Sequence, residues 1–190
     1  MRGFAMGLIA RRVREAGFNT IVFDYASLQQ GADRSAERLA DMLVTLPGDH
    51  IHLVGHSLGG LVALLATRNS HRPGRTVCLG SPLLGSEAAR RVAGVASWTL
   101  GESAERLCAG LPAWTGAREV GVIAGRMPFG LAQMLGGFAD DSDGTVRVAE
   151  THLPGITDHL VLPASHTGLV FSTPVADAVL RFLQGGTLSS

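Results

Sequence analysis

The tightest constraint in the chain is a pentapeptide, Gly55-His56-Ser57-Leu58-Gly59, extended by Gly60. It follows one apolar run, Ile51-His52-Leu53-Val54, and leads into another, Leu61 to Thr67. The first run has the length and β-branched content of a strand, and the second has the length of a helix. A chain that leaves a strand and enters a helix this quickly must turn very sharply. Glycine at 55 and 59 removes the side chains that would crowd such a turn. Ser57 then stands at the apex with its hydroxyl exposed. The first amides of the following helix, with their partial positive charge, point at whatever reacts there. Taken alone, the pentapeptide also reads as a glycine-rich turn with an incidental serine. The strand before it and the helix after it argue for the first reading.

The rest of the chain keeps the same rhythm. Phe4 to Ala16 has helical spacing, with Leu8, Ile9, Val13 and Ala16 on one face and Gly17 as its stop. Thr20 to Phe23 reads as a short strand. Ala36 to Leu46 reads as a helix, striped by Leu39, Leu43 and Leu46 and ended by Pro47-Gly48. After Ile51–Val54 come a helix from Leu58 to Asn69 and strands over Arg75–Leu79, Val120–Ala124 and Asp158–Leu162. A closing helix spans Thr173–Leu183, with Val175, Val179 and Phe182 on its inner face. Strands separated by helices predict an α/β fold, a mostly parallel sheet with helices on both faces.

Leu83 to Met134 fits this pattern poorly outside the strand near Val120. It holds Trp98, Trp114, Met127, Phe129 and Met134 among many alanines and glycines. The expectation is one domain over residues 1–190, with a small helical insertion at about 84–118 lying over the active edge of the sheet. For any single aromatic in this stretch, ordinary core packing competes with a role in a pocket.

Composition narrows the functional classes. Of the 190 residues, 46% are hydrophobic and 17% charged, which excludes a disordered chain. Sixteen basic residues balance sixteen acidic ones, so no basic surplus points to nucleic acid or to a membrane surface. The apolar runs are too short for a transmembrane segment. The apolar start, Phe4 to Ala10, runs straight into Arg11 and Arg12 and reads as an amphipathic helix rather than a secretion signal, so a cytoplasmic location is expected. Cys78 and Cys108 provide neither a disulfide framework nor metal-ligand spacing. Composition says nothing about oligomeric state.

A serine hydroxyl is a poor nucleophile and needs a base, which in turn needs a carboxylate to hold its tautomer. When the serine sits on a strand-to-helix turn, the acid and then the base follow it in the chain. That order sets aside His50, His52, His56 and His71. Of the remaining histidines, His159 falls inside the last strand and His152 before it. His166 follows that strand directly, in Leu162-Pro163-Ala164-Ser165-His166-Thr167-Gly168, and is the candidate base. The candidate acid lies in the turn Asp140-Asp141-Ser142-Asp143-Gly144-Thr145-Val146. Asp143 is preferred, Asp140 and Asp141 compete, and Asp158 adjoins a strand rather than a loop end.

Taken together, Gly55–Gly60, Asp143-Gly144-Thr145-Val146 and Ser165-His166-Thr167-Gly168 resemble the small bacterial lipase- and esterase-like α/β-hydrolases. The resemblance runs from Phe4 to Phe182. It implies a Ser57–His166–Asp143 triad, an oxyanion hole that includes the Leu58 N–H, and no metal or organic cofactor. It also implies hydrolysis of a small-molecule ester, often one carrying a lipid-like acyl group. Such proteins carry an earlier strand ending in His-Gly, whose loop supplies the second oxyanion N–H. Met1-Arg2-Gly3 offers neither, so Thr20–Phe23 is expected to lie beside an unfilled place in the sheet. That departure keeps a second class open, a non-catalytic binding protein or a truncated inactive form. The same triad would also serve an amidase, a thioesterase or an acyltransferase.

Overall fold

The computed structural model describes residues 6–24, 31–90, 103–127 and 141–189. Four strands form one sheet: β1 (Leu53–His56), β2 (Thr76–Leu79), β3 (Val120–Gly125) and β4 (Asp158–Leu162). They lie side by side in chain order, and every pair is parallel. Gly55 sits opposite Cys78, Cys78 opposite Val122, and Val122 opposite His159. Among the described residues, the helices include α1 (Gly7–Glu15), α2 (Ala32–Thr45), α3 (Leu58–Thr67), α4 (Ser103–Ala109), α5 (Val148–Thr151) and α6 (Thr173–Gly185).

Alternation along the strands divides the core in two. Val77 and Leu79 of β2 and Ile123 of β3 face one side, where they pack with Ile9 and Val13 of α1 and with Val175, Val179 and Phe182 of α6. Cys78, Val120 and Val122 face the other, against Leu61 and Leu64 of α3 and against Trp114 and Leu153. The two central strands, β2 and β3, are buried on both faces, which is why they read as continuous apolar runs. Outside α3, helix α2 packs Ala36, Leu39 and Leu43 on Val62 and Ala66.

The stripes that predicted α1, α2 and α6 are the buried ones: Ile9 and Val13, Leu39 and Leu43, and Val175, Val179 and Phe182. Pro174 at the start of α6 and left-handed Gly186 at its end explain its limits. The strand expected at Thr20–Phe23 does not form. Ile21 and Val22 are 62% and 54% exposed, while Phe23 packs at the margin of the cluster between α2 and α3. Strand propensity needs a neighbour to pair with. The sheet of the described residues ends at β1 and offers this segment no hydrogen-bonded partner.

Of the expected insertion, α4 and the stretch leading into β3 are described. Trp98, Phe129, Met134 and Asp140 lie outside the described residues. Trp114 is a core residue, 7% exposed, with its indole N–H donated to the Arg118 carbonyl at 2.9 Å. Among the described residues, no helix is long and apolar enough to cross a membrane.

Candidate active site

The candidate residues lie beyond the C-terminal ends of the strands. β1 runs into Ser57 and α3 begins at Leu58, so the turn between them is a single residue. Ser57 has φ 56° and ψ −124°, the one positive φ outside glycine among the described residues. A serine held there costs about 1–3 kcal/mol and persists only because its surroundings fix it. Two backbone bonds do so: Ser57 N–H donates to Leu79 O at 2.8 Å, and Gly60 N–H donates to Ser57 O at 3.1 Å. Gly55 explains the closeness of strand and helix. A Cβ there would fall on the Gly59 carbonyl and within 2.6 Å of Gly60 N. The Ser57 side chain does not cap α3, which leaves its hydroxyl uncommitted to the helix. The Leu58 N–H belongs to the first helical turn and has no intrahelical acceptor.

The candidate acid, Asp143, lies in the turn before α5. Asp143 is buried, and each of its carboxylate oxygens has work. Oδ1 accepts the N–H groups of Thr145 at 2.9 Å and Val146 at 2.8 Å. Oδ2 pairs with His166 Nδ1 at 2.7 Å. With Nδ1 as the donor, His166 Nε2 is left as the acceptor that a general base requires. The His166 N–H also donates to the Asp143 main-chain carbonyl at 2.8 Å. Asp143 and His166 are thus joined twice. Gly80, at the end of β2, passes beneath this pair: a Cβ there would stand 2.9 Å from Asp143 Oδ2 and 3.2 Å from His166 Nδ1.

The competing residues are occupied elsewhere. Asp158 accepts the N–H of His159 through one oxygen and that of Leu188 through the other, both near 2.8 Å, so it serves the fold. His159 pairs with Thr151 Oγ1 at 2.8 Å and lies against His152, the rings tilted by 47° with centres 4.8 Å apart. Asp141 is exposed, and its main-chain carbonyl accepts the Val148 N–H.

The structure thus brings His166 and Asp143 into direct contact. Among the described residues, no hydrogen bond joins the Ser57 hydroxyl to His166. The two loops meet instead through His56. Its Nε2 lies 2.9 Å from the His166 carbonyl oxygen, and the two rings are 4.6 Å apart between centres. Burial, and then the charge of His166, push the His56 pKa down to about 4. The chain-order argument set His56 aside because it precedes the serine. Its position inside the pentapeptide was the signal that could have found it. Among the described residues, no group of three or more His, Cys, Asp or Glu side chains is placed to hold a metal ion.

A sequence model of the alpha/beta hydrolase family matches residues 2–184. The chain belongs to that family. Solved structures agree on the fold of this α/β-hydrolase. It is similar to the mature lipase BlEst2 of Bacillus licheniformis, with a TM-score of 0.71 and 19% identity over 90% of this chain and 83% of that one. It is similar to the metagenomic carboxyl esterase MGS0156, with a TM-score of 0.69 and 20% identity over 85% of this chain and 58% of the esterase. It is also similar to phospholipase PlaB of Legionella pneumophila, with a TM-score of 0.67 and 15% identity over 96% of this chain and 56% of the phospholipase. This α/β-hydrolase therefore spans under two thirds of the last two. No protein of curated function matches its sequence closely. Family membership and these lipase and esterase neighbours support a hydrolase.

Proposed function

We propose that this α/β-hydrolase is a serine hydrolase of carboxylic esters, acting on lipid-like or other acyl esters through a Ser57–His166–Asp143 triad. The observation that carries the reading is the buried Asp143 carboxylate, fixed by two N–H donors and paired with His166 Nδ1 at 2.7 Å. A carboxylate held this firmly orients the imidazole and stabilises its positive charge without taking its proton. In the reaction, Ser57 Oγ attacks the acyl carbonyl carbon while His166 Nε2 takes the hydroxyl proton. The carbonyl oxygen becomes an oxyanion facing the Leu58 N–H. Collapse breaks the bond to the alkoxide, which leaves with the proton from His166. Water, deprotonated by His166, then attacks the acyl-enzyme and releases the acid. The mechanism requires the Ser57 hydroxyl to meet Nε2, and such bonds often close only when substrate binds.

The lipase, esterase and phospholipase named above favour an ester substrate with an apolar acyl group. The test is labelling by a fluorophosphonate together with turnover of p-nitrophenyl esters of increasing chain length, with amide and thioester analogues alongside. Wild type should label and turn over esters fastest, and Ser57→Ala should do neither while keeping its fold. Labelling that survives in Ser57→Ala would refute the nucleophile. A labelled enzyme that prefers the amide or thioester would refute the substrate class.

A further inference from the structure

We infer that His56 is a positioning residue, whose imidazole clasps the loop carrying His166 to the strand carrying Ser57. The inference rests on the triad proposed above. His166 follows β4, and Ser57 follows β1. With strands about 4.8 Å apart, three strand spacings, or about 14 Å, separate the ends of β1 and β4, so the His166 loop must lean back across the sheet to reach the serine. Asp143 cannot fix that lean. It sits on the loop after β3 and holds His166 only to its own neighbour, through Nδ1 and through the main-chain N–H. Among the described residues, one hydrogen bond joins segment 163–172 to the turn that carries the serine. It runs from His56 Nε2–H to the His166 carbonyl oxygen, at 2.9 Å.

The chemistry of His56 suits this task. A carbonyl oxygen only accepts, so His56 Nε2 must be the protonated nitrogen. Burial keeps the ring neutral at neutral pH and leaves it a single N–H to give. Among the described residues, the charged or titratable groups acting on it are His166 and Asp143. A neutral donor holds the loop without placing a second positive charge beside the imidazolium that forms in the reaction. The ring of His56 also lies against the ring of His166, at 4.6 Å between centres and 45° between planes, which limits its sideways travel. Ser57 and His56 are consecutive, so a displacement of one relative to the His166 loop is a displacement of the other.

Two substitutions of equal length separate the clasp from mere packing. Gln keeps an N–H donor at a reach similar to that of Nε2. Met has a similar length and an adaptable shape but no donor. His56→Met should lower kcat by about 10²-fold, the scale of a misplacement near 1 Å, with KM little changed and fluorophosphonate labelling slowed in parallel. His56→Gln should recover most of that loss. Equal kcat in the two variants would overturn the inference, at whatever level they agree. If the Met variant does not fold, a folded Gln variant with a large loss of kcat would overturn it as well. Ser57→Ala in the same assay keeps the two proposals apart. Residual labelling there breaks the triad reading itself, whereas a silent Ser57→Ala beside a fully active His56→Met breaks only the clasp.

Discussion

Gly80→Ala places one methyl group under the bond that the proposed mechanism depends on. Gly80 has φ +51°, and an L-residue there costs about 1–2 kcal/mol before any contact is counted. The added carbon would stand 2.8 Å from Leu169 Cδ1, 2.9 Å from Asp143 Oδ2 and 3.2 Å from His166 Nδ1. Leu169 is fully buried and has little room to retreat. Asp143 has none, because Oδ1 is held by the Thr145 and Val146 amides. The displacement therefore falls on the Asp143–His166 pair. Overpacking of this kind costs about 1–3 kcal/mol, so the variant should lose about 2–5 kcal/mol in all. In a chain of this size that corresponds to a Tm lower by roughly 4–20 °C. The rate should fall by about 10²-fold, short of the roughly 10⁴-fold expected when the carboxylate no longer sets the tautomer. The assays are kcat/KM on p-nitrophenyl butyrate and thermal unfolding followed by circular dichroism. A variant matching wild type in both would show that the methyl finds space and that the site is looser than its distances indicate. A normal rate with a lowered Tm would show that the pair yields without consequence, which would refute the role given to it.

Gly55→Ala should be more severe for folding, since its Cβ meets backbone atoms of Gly59 and Gly60 rather than a side chain that can rotate. The expected result is little soluble protein, or a soluble form without fluorophosphonate labelling, and a well-labelled, stable variant would refute the steric argument. Stability should also depend on pH through His56. Its folded pKa is lowered from 6.5 to about 4, so between these values the unfolded chain binds a proton that the native one refuses. Stability is then full above about pH 6.5 and falls by on the order of 3 kcal/mol as the pH drops towards 4. Burial lowers the pKa of His52 and His159 in the same direction. Urea titrations at about pH 7.5 and 4.5 measure the loss, and His56→Gln should remove its share; an unchanged pH slope in that variant would refute the assignment.

What could be read from the sequence was what depends on local pattern and chain order. The turn at Ser57 was legible because a strand, a one-residue reversal and a helix leave glycines at fixed offsets. The pairing of Asp143 with His166 could be anticipated because each follows a strand whose apolar run is plain. Thr20–Phe23 misled because propensity describes a segment that wants a partner, and pairing depends on what lies beside it. Trp114 was ambiguous in the sequence and resolves as core, because its indole N–H is satisfied by Arg118 O inside the second cluster. Asp158 illustrates a further limit: its oxygens serve the His159 and Leu188 amides, and neither bond leaves a trace in spacing.

His56 was hidden for a related reason. Chain order is a rule about which residue can deliver a proton, and it says nothing about which residue holds the deliverer in place. In a parallel sheet, the proposed nucleophile and its base arise on strands that are not neighbours, and each loop can be well ordered while their separation is not. The Asp143–His166 pair is local in this sense, because β3 and β4 are adjacent. The Ser57–His166 separation is not, because β2 and β3 intervene. A residue that controls it has to reach from one end of the sheet towards the other, and the neighbour of the serine is well placed to do so. Its side chain leaves the same strand end and moves with the nucleophile. The bond at His56 therefore carries information that neither loop holds by itself, and the Gln and Met pair at position 56 probes that distance without replacing any residue of the proposed triad.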